Sequence, residues 1–186
     1  GDKLLLLQQE LIAKALGSSE TDIKKTLQTN ARIFETVVTS SDSLKLRSDL
    51  KNLLIDALRN DTTAKIPDGM TKEEFVSIQV NQISTPWMQY FLKYDPAATL
   101  EKVKCPVLAV NGEKDLQVPP KENLNAIKMA LKKGGNKNVT TIEFPNLNHL
   151  FQEAKTGSPT EYATIEQTIS PVVLAKITKW VKEQTK

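Results

Sequence analysis

The chain has 186 residues, a length that fits one ordinary domain with its own core. Its 25 Lys and Arg against 22 Asp and Glu give a net charge of only +3, and the basic residues are scattered, which argues against a nucleic-acid partner. The longest apolar run, Leu4 to Leu7, is too short to cross a bilayer, and no signal-peptide pattern lies near Gly1. We therefore expect neither nucleic acid nor membrane as a partner.

One cysteine and one histidine limit the chemistry that this sequence can perform. Cys105 allows no internal disulfide and no cysteine-based metal site, and nothing nearby in the sequence activates it, so we predict a small buried hydrophobic residue. His149 is the one imidazole available as a general base. Because no metal-ligand spacing occurs, we predict no metal and no cofactor. The cellular compartment stays undetermined.

Residues 1–94 carry helical periodicity, which breaks at Gly17, at Ser40-Ser41 and at Pro67-Asp68-Gly69. Four or five helices are predicted, one of them over 42–59. Ser19 with Asp22, and Thr71 with Glu74, have the spacing of a capping box and mark two helix starts. The apolar faces of the first two helices are Leu4, Leu7, Leu11, Ala15, Ile23, Leu27, Ala31, Phe34 and Val38.

Residues 95–186 change to an α/β pattern. The apolar run Pro106–Val110, bounded by Asn111-Gly112, is typical of a strand buried on both faces. The further predicted elements are a helix from Pro119-Pro120 to Lys133, a strand over 139–144, and a last helix that begins at Ser170-Pro171 with an apolar stripe of Val173, Ile177, Trp180 and Val181.

An acid and a histidine follow the two predicted strands. Asp115 lies in the loop after the first strand, and His149 lies just beyond the second. Because parallel strands present their following loops at one edge of a sheet, the two side chains should meet there. A carboxylate beside an imidazole fixes its tautomer and stabilises the imidazolium, which is half of a general-base apparatus. Glu113 is a rival acid in the same loop.

The segment from Lys104 to Pro119, KCPVLAVNGEKDLQVP, resembles the acid-bearing strand and loop of serine α/β-hydrolases, and NLNHLF from Asn146 to Phe151 is similar to their histidine loop. The likeness is to the bacterial esterase-like and peptidase-like branch. It implies a partial α/β-hydrolase fold: a helical cap over 1–94, then the last two parallel strands with their helices over 95–186. It also implies a small ester or related acyl substrate, with Asp115 and His149 as catalytic residues.

The family's nucleophile elbow, G-x-S-x-G, has no counterpart here, since none of the seven glycines flanks a serine at that spacing. Ser158, in Gly157-Ser158-Pro159, follows the histidine and is a poor candidate. We therefore expect a truncated or processed piece that is inactive by itself, with the serine upstream. Its expected partner is the missing N-terminal part of the fold or a second copy of the chain. The alternative is a non-catalytic helical binding module derived from that fold.

An aromatic cluster of Trp87, Tyr90, Phe91 and Tyr94 recurs at helical spacing. Two interpretations stay open. The rings can pack in the core between cap and sheet, or Trp87, Tyr90 and Phe91 can form a wall of the acyl-binding pocket.

Overall fold

The computed structural model describes residues 1–60 and 66–185. The chain forms two compact units. The first consists of Gly1–Leu6 with Lys24–Tyr94, and the second consists of Leu7–Ile23 with Asp95–Lys186. The assignment of residues 1–94 to a cap of the hydrolase core stays a prediction. No helix within the described ranges has the length and apolar character needed to span a membrane.

Five helices account for the regular structure within residues 1–60 and 66–94. They are α1 Asp2–Ala15, α2 Glu20–Thr39, α3 Ser43–Asn60, α4 Lys72–Ile83 and α5 Pro86–Lys93. The helix expected over 42–59 is α3, and the residue Asp61 at its expected end lies outside the described residues. The Thr71 hydroxyl accepts from the Glu74 amide at 3.2 Å while the Thr71 amide donates to the Glu74 carboxylate at 2.8 Å, the predicted capping box. Ser19 likewise accepts from the Asp22 amide at 3.1 Å.

The core of the first unit is aliphatic apart from one aromatic ring. Its buried members are Ile33, Phe34, Val37, Leu46, Leu50, Leu54, Val76, Val80 and Leu92. The predicted stripe on α2 is wrong at its end, because Val38 is 37% exposed whereas Val37 is fully buried. On a helix, the residue four positions on points about 40° to one side of the first, and the residue three positions on points about 60° to the other side. Seen from Phe34, Val37 therefore lies on the side of the buried Ile33, whereas Val38 lies on the opposite side, away from the core.

The second unit contains a β-α-β unit. In chain order, α6 Ala97–Leu100, β1 Val107–Gly112, α7 Pro120–Lys133 and β2 Val139–Phe144 are followed by a 3-10 helix over Pro159–Thr164 and by α8 Pro171–Gln184. Strands β1 and β2 are parallel, with a register that runs from Val107 opposite Val139 to Gly112 opposite Phe144. The two predicted parallel strands of a partial α/β-hydrolase fold are confirmed.

Burial in this unit differs from the prediction at two places around β1. Val107–Val110 are partly exposed rather than buried on both faces, and the strand continues through Asn111 to Gly112. Within the described ranges the sheet has two strands, so one edge of β1 has no neighbour to cover it. Cys105, predicted to be buried, is exposed because it precedes the strand in an uncovered loop.

Helix α8 packs against the end of β2. Phe144, Leu147 and Val173 form the buried centre of this contact, and Ile177 packs against them. Trp180 donates from its indole nitrogen to the Thr140 hydroxyl at 3.3 Å. Val181, predicted as part of the apolar stripe, is 46% exposed. This packing fixes the chain that leaves β2, and that chain carries His149.

Candidate functional site

Asp115 is buried, with 4% of its surface exposed, in the tight turn that follows β1. One carboxylate oxygen accepts from the amides of Gln117 and Val118 at 2.9 and 2.8 Å. The other accepts from the Asn111 side-chain amide at 3.1 Å and lies 3.0 Å from Nδ1 of His149. A carboxylate without donors would be costly at this depth, and the four donors hold its orientation.

The loop that carries His149 is braced by a fully buried Asn148. Its side-chain oxygen accepts from the amides of Leu150 and Gln152 at 2.9 and 3.0 Å, and its amide nitrogen donates to the Gln152 side chain at 2.9 Å. Gln152 in turn donates to the carbonyl oxygen of Gln167 at 2.8 Å. Side-chain to backbone bonds of this kind hold a loop without a strand or helix to support it. The imidazole is therefore attached to a rigid segment.

The acid loop and the histidine loop touch through their backbones. The amide of Lys114 donates to the carbonyl oxygen of Leu147 at 2.8 Å, and that of Glu113 donates to Phe144 at 2.8 Å. Gly112 is required for this approach, because a β-carbon at residue 112 would overlap the carbonyl oxygens of Leu147 and Asn148. The sequence marked Gly112 only as the end of a strand.

The result is a hydrogen-bonded pair of Asp115 and His149 at the carboxyl edge of the sheet. Nδ1 of His149 lies 3.0 Å from Asp115, and the His149 side chain is 36% exposed. Its other ring nitrogen, Nε2, has no hydrogen-bond partner among residues 1–60 and 66–185. With Nδ1–H donated to the carboxylate, Nε2 is the basic nitrogen and can accept a proton.

Tyr162 is a neighbour of this pair that sequence reasoning missed. Its hydroxyl accepts from the Gln117 side chain at 2.9 Å. Burial raises the pKa of Tyr162 above its ordinary value, the Gln117 bond opposes this shift, and the charge of Asp115 adds to it. The phenol therefore stays protonated beside the acid. Gln117 lies in the loop after β1 and Tyr162 in the 3-10 helix, 45 residues further along the chain, and no local pattern in the sequence relates them.

Glu113, the alternative acid, and Ser158, the serine considered as nucleophile, both make hydrogen bonds that stabilise the local structure. Glu113 is exposed and accepts a hydrogen bond from the backbone amide of Asn146 at 2.7 Å. It therefore stabilises the histidine loop, and no contact between Glu113 and the imidazole is observed within the described residues. Ser158 is buried, shares a hydrogen bond with the Thr160 hydroxyl at 2.9 Å and caps the 3-10 helix. A hydroxyl in this position supports a turn and is poorly suited to attack a substrate.

The aromatic cluster lies on α5 and on Tyr94, the residue that caps its C-terminus, in the first unit. Trp87 stacks on Phe91 with ring centroids 5.2 Å apart, and Tyr90 stacks on Tyr94 at the same distance. Core packing is the wrong interpretation for Trp87 and Tyr90, which are 66% and 64% exposed. Their predicted role in binding an acyl group stays a prediction.

Among residues 1–60 and 66–185, no cluster of three or more His, Cys, Asp or Glu side chains could hold a metal ion. The contacts observed to position Asp115 and His149 are hydrogen bonds between side chains and loop backbones.

The parallel strand pair and the elements that follow it define this chain as a partial α/β-hydrolase. The sequence profile of the prolyl oligopeptidase family matches residues 54–169, more than half of the chain, so the chain belongs to the prolyl oligopeptidase family of serine hydrolases. No curated protein and no solved structure matched the chain.

Proposed function

We propose that Asp115 and His149 are the acid and the general base of a serine hydrolase that cleaves a small ester or related acyl substrate. The observation that supports the proposal is the 3.0 Å bond between Nδ1 of His149 and the buried carboxylate of Asp115. In this mechanism Asp115 fixes the tautomer, and Nε2 takes the proton of the attacking serine. The same nitrogen then returns the proton to the leaving group, and a covalent acyl-enzyme forms.

The serine of the proposed triad is supplied by residues other than 1–186, because this sequence contains no G-x-S-x-G elbow. We propose that the oxyanion-hole amides come from the same residues as this serine. The open edge of β1 is where a further strand of the fold would pair. Without that strand we expect a second copy of the chain to pair there, so sedimentation of the 186-residue chain should report self-association as its concentration rises. A monomer at all concentrations would contradict this pairing.

The proposal assigns the exposed rings of Trp87 and Tyr90 and the half-buried ring of Phe91 to contacts with the acyl group. Large aromatic surfaces in water are uncommon without a partner, and two stacked pairs on one short helix form a compact apolar surface. Replacing Trp87 by Ala should raise KM and leave kcat nearly unchanged, because the contact is equal in the ground state and the transition state.

The experiment uses the full natural reading frame that encodes residues 1–186. It is expressed as wild type and as His149→Ala, and turnover of p-nitrophenyl acetate and of a peptide p-nitroanilide is measured alongside labelling by a fluorophosphonate. We expect the wild type to turn over one of these substrates and the variant to lose about 10³-fold or more of kcat, as removal of a triad base does. Equal turnover by both proteins would refute the role of His149.

A non-catalytic binding module is the second candidate, and the missing elbow favours it. The two candidates differ in covalent chemistry. If the full reading frame holds no serine that a fluorophosphonate labels, the module is correct and the hydrolase proposal fails. If a serine is labelled in the wild type, and this labelling becomes much slower in His149→Ala, the hydrolase is correct.

A further inference from the structure

A cleft of about 590 Å³ opens beside the N-terminus of α8 in the second unit. Neither Asp115 nor His149 lines it, so the cleft is separate from the proposed catalytic pair. Its apolar part comes from Phe144, Pro145, Leu147 and Val172. Phe144 and Leu147 are otherwise buried, so the cleft reaches down to the core under α8. Its volume suits a small organic molecule.

Two lysines bring positive charge to this cleft. Lys114 lines it and uses one of its three donors on the carbonyl oxygen of Ala154 at 2.8 Å. Lys155 also lines it, is exposed, and has no ion pair or hydrogen bond through its ammonium group within the described residues. Glu153 is the one carboxylate in the lining. The side chains therefore contribute a net positive charge to the cleft.

The N-terminus of α8 adds one backbone hydrogen-bond donor that has no partner within the described residues. Pro171, at the first position of this 14-residue helix, has no N–H, and the amide of Val172 makes no hydrogen bond among residues 1–60 and 66–185. Helix N-termini carry partial positive charge and bind anions through such amides.

The side chain of Ser170 is a second, independent observation that points to a ligand in the cleft. The residue is 3% exposed and caps α8, yet its hydroxyl makes no capping bond and no other hydrogen bond within the described ranges. Within the described residues, every side-chain N or O atom that is completely buried has a hydrogen-bond partner. The Ser170 hydroxyl has no partner, so its oxygen retains a small solvent-accessible area. Ser170 is one of the residues that line the cleft. Buried hydroxyls normally have a partner, and this one is available to a ligand.

We propose that this cleft binds a small organic carboxylate with an apolar body. The carboxylate accepts from the Val172 amide and the Ser170 hydroxyl and lies within the positive field of Lys114 and Lys155, while the apolar body covers Phe144 and Leu147. The inference concerns the second unit alone and does not depend on the proposed hydrolase activity.

Hexanoate is the probe for this site. Hexan-1-ol is the comparison ligand with a similar apolar chain but no charge, and inorganic phosphate is the comparison anion with no apolar chain. Each is titrated into the 186-residue chain while amide chemical shifts are followed by ¹H–¹⁵N NMR. We expect hexanoate to give saturable shifts that include the Val172 amide, with weaker binding of both comparison probes. Equal binding of hexan-1-ol, tighter binding of phosphate, or no saturable shift with hexanoate overturns the proposal.

Variants locate the site. Lys155→Gln should weaken hexanoate binding about three- to tenfold, since it removes a partly screened charge, and Ser170→Ala should weaken it about two- to fivefold, since it removes one hydrogen bond. The matched control is Lys176→Gln, which replaces an exposed lysine on α8 outside the lining and should bind hexanoate as the wild type does. The same spectra show whether each variant is folded. Unchanged affinity in folded Lys155→Gln and Ser170→Ala contradicts the assignment.

Discussion

Gly112 lies against the carbonyl oxygen of Leu147 so closely that no side chain fits between them. The contact joins the end of β1 to the loop that carries His149. Gly112→Ala should therefore push this loop away and destabilise the protein by about 1–3 kcal/mol, the usual cost of an added methyl group in a tightly packed position. Urea unfolding measures the free energy.

His149 is the one histidine, so its imidazole signals in NMR report the loop position without ambiguity. Gly112→Ala should shift these signals strongly. Gly17→Ala is the control: Gly17 has a φ of +76° but open space around it, so the variant is strained without touching the histidine loop. Imidazole signals that stay unchanged in Gly112→Ala would show that the loop does not depend on this contact.

Asp115 and Glu113 can be separated as acids by conservative substitution. In the full natural reading frame, Asp115→Asn should lower kcat/KM by about 10³- to 10⁴-fold, because an amide in place of the carboxylate no longer stabilises the required tautomer or the imidazolium. Glu113→Gln should change it by less than about tenfold, since Glu113 holds the Asn146 amide and not the imidazole. The reverse order of effects would make Glu113 the acid.

Asn148 is fully buried, and its side chain holds three hydrogen bonds in the histidine loop. Asn148→Ala leaves two backbone amides and a Gln152 oxygen without these partners, so we expect a loss of about 2–4 kcal/mol in the free energy of unfolding. Asn125→Ala, at an exposed position on α7, should change it by no more than about 0.5 kcal/mol. Similar losses of unfolding free energy in both variants would show that the hydrogen bonds of Asn148 do not stabilise the histidine loop.

Tyr162 should make stability depend on pH in the alkaline range. Its pKa in the folded protein is raised above the ordinary value of 10.0, so the unfolded chain releases this proton first as pH rises. The contribution is fully present below pH 10.0 and is lost as pH rises from there through the folded pKa. Urea unfolding at about pH 9 and about pH 11 should give a smaller alkaline loss for Tyr162→Phe than for the wild type. An equal loss would contradict a raised pKa.

Cys105 is exposed, so the native chain should react with Ellman's reagent. We expect one thiol to react at a rate within about tenfold of that of the urea-unfolded chain, because access rather than unfolding limits the reaction. Cys105→Ser should remove the reaction. A native thiol that reacts only after unfolding would support burial of Cys105 instead.

The local elements could be predicted because their signals are local. The helix from Pro120 to Lys133 and the strand Val139–Phe144 coincide with the sequence patterns, since proline, glycine and apolar spacing act over a few residues. The errors concern burial: Val38, Cys105 and the faces of β1 were assigned from their own segments, whereas exposure depends on which other segments cover them.

By itself, the sequence determined the α/β-hydrolase superfamily, the order of the main helices and of the two strands, and the loops that carry Asp115 and His149. Only the tertiary structure decided which groups surround them. Asn111 and Asp115 are four residues apart, but His149 comes from 34 residues further along and Tyr162 from 45 residues beyond Gln117. Hydrogen-bond partners at such separations depend on how the strands align and how the loops pack, and no pattern within one segment contains that information.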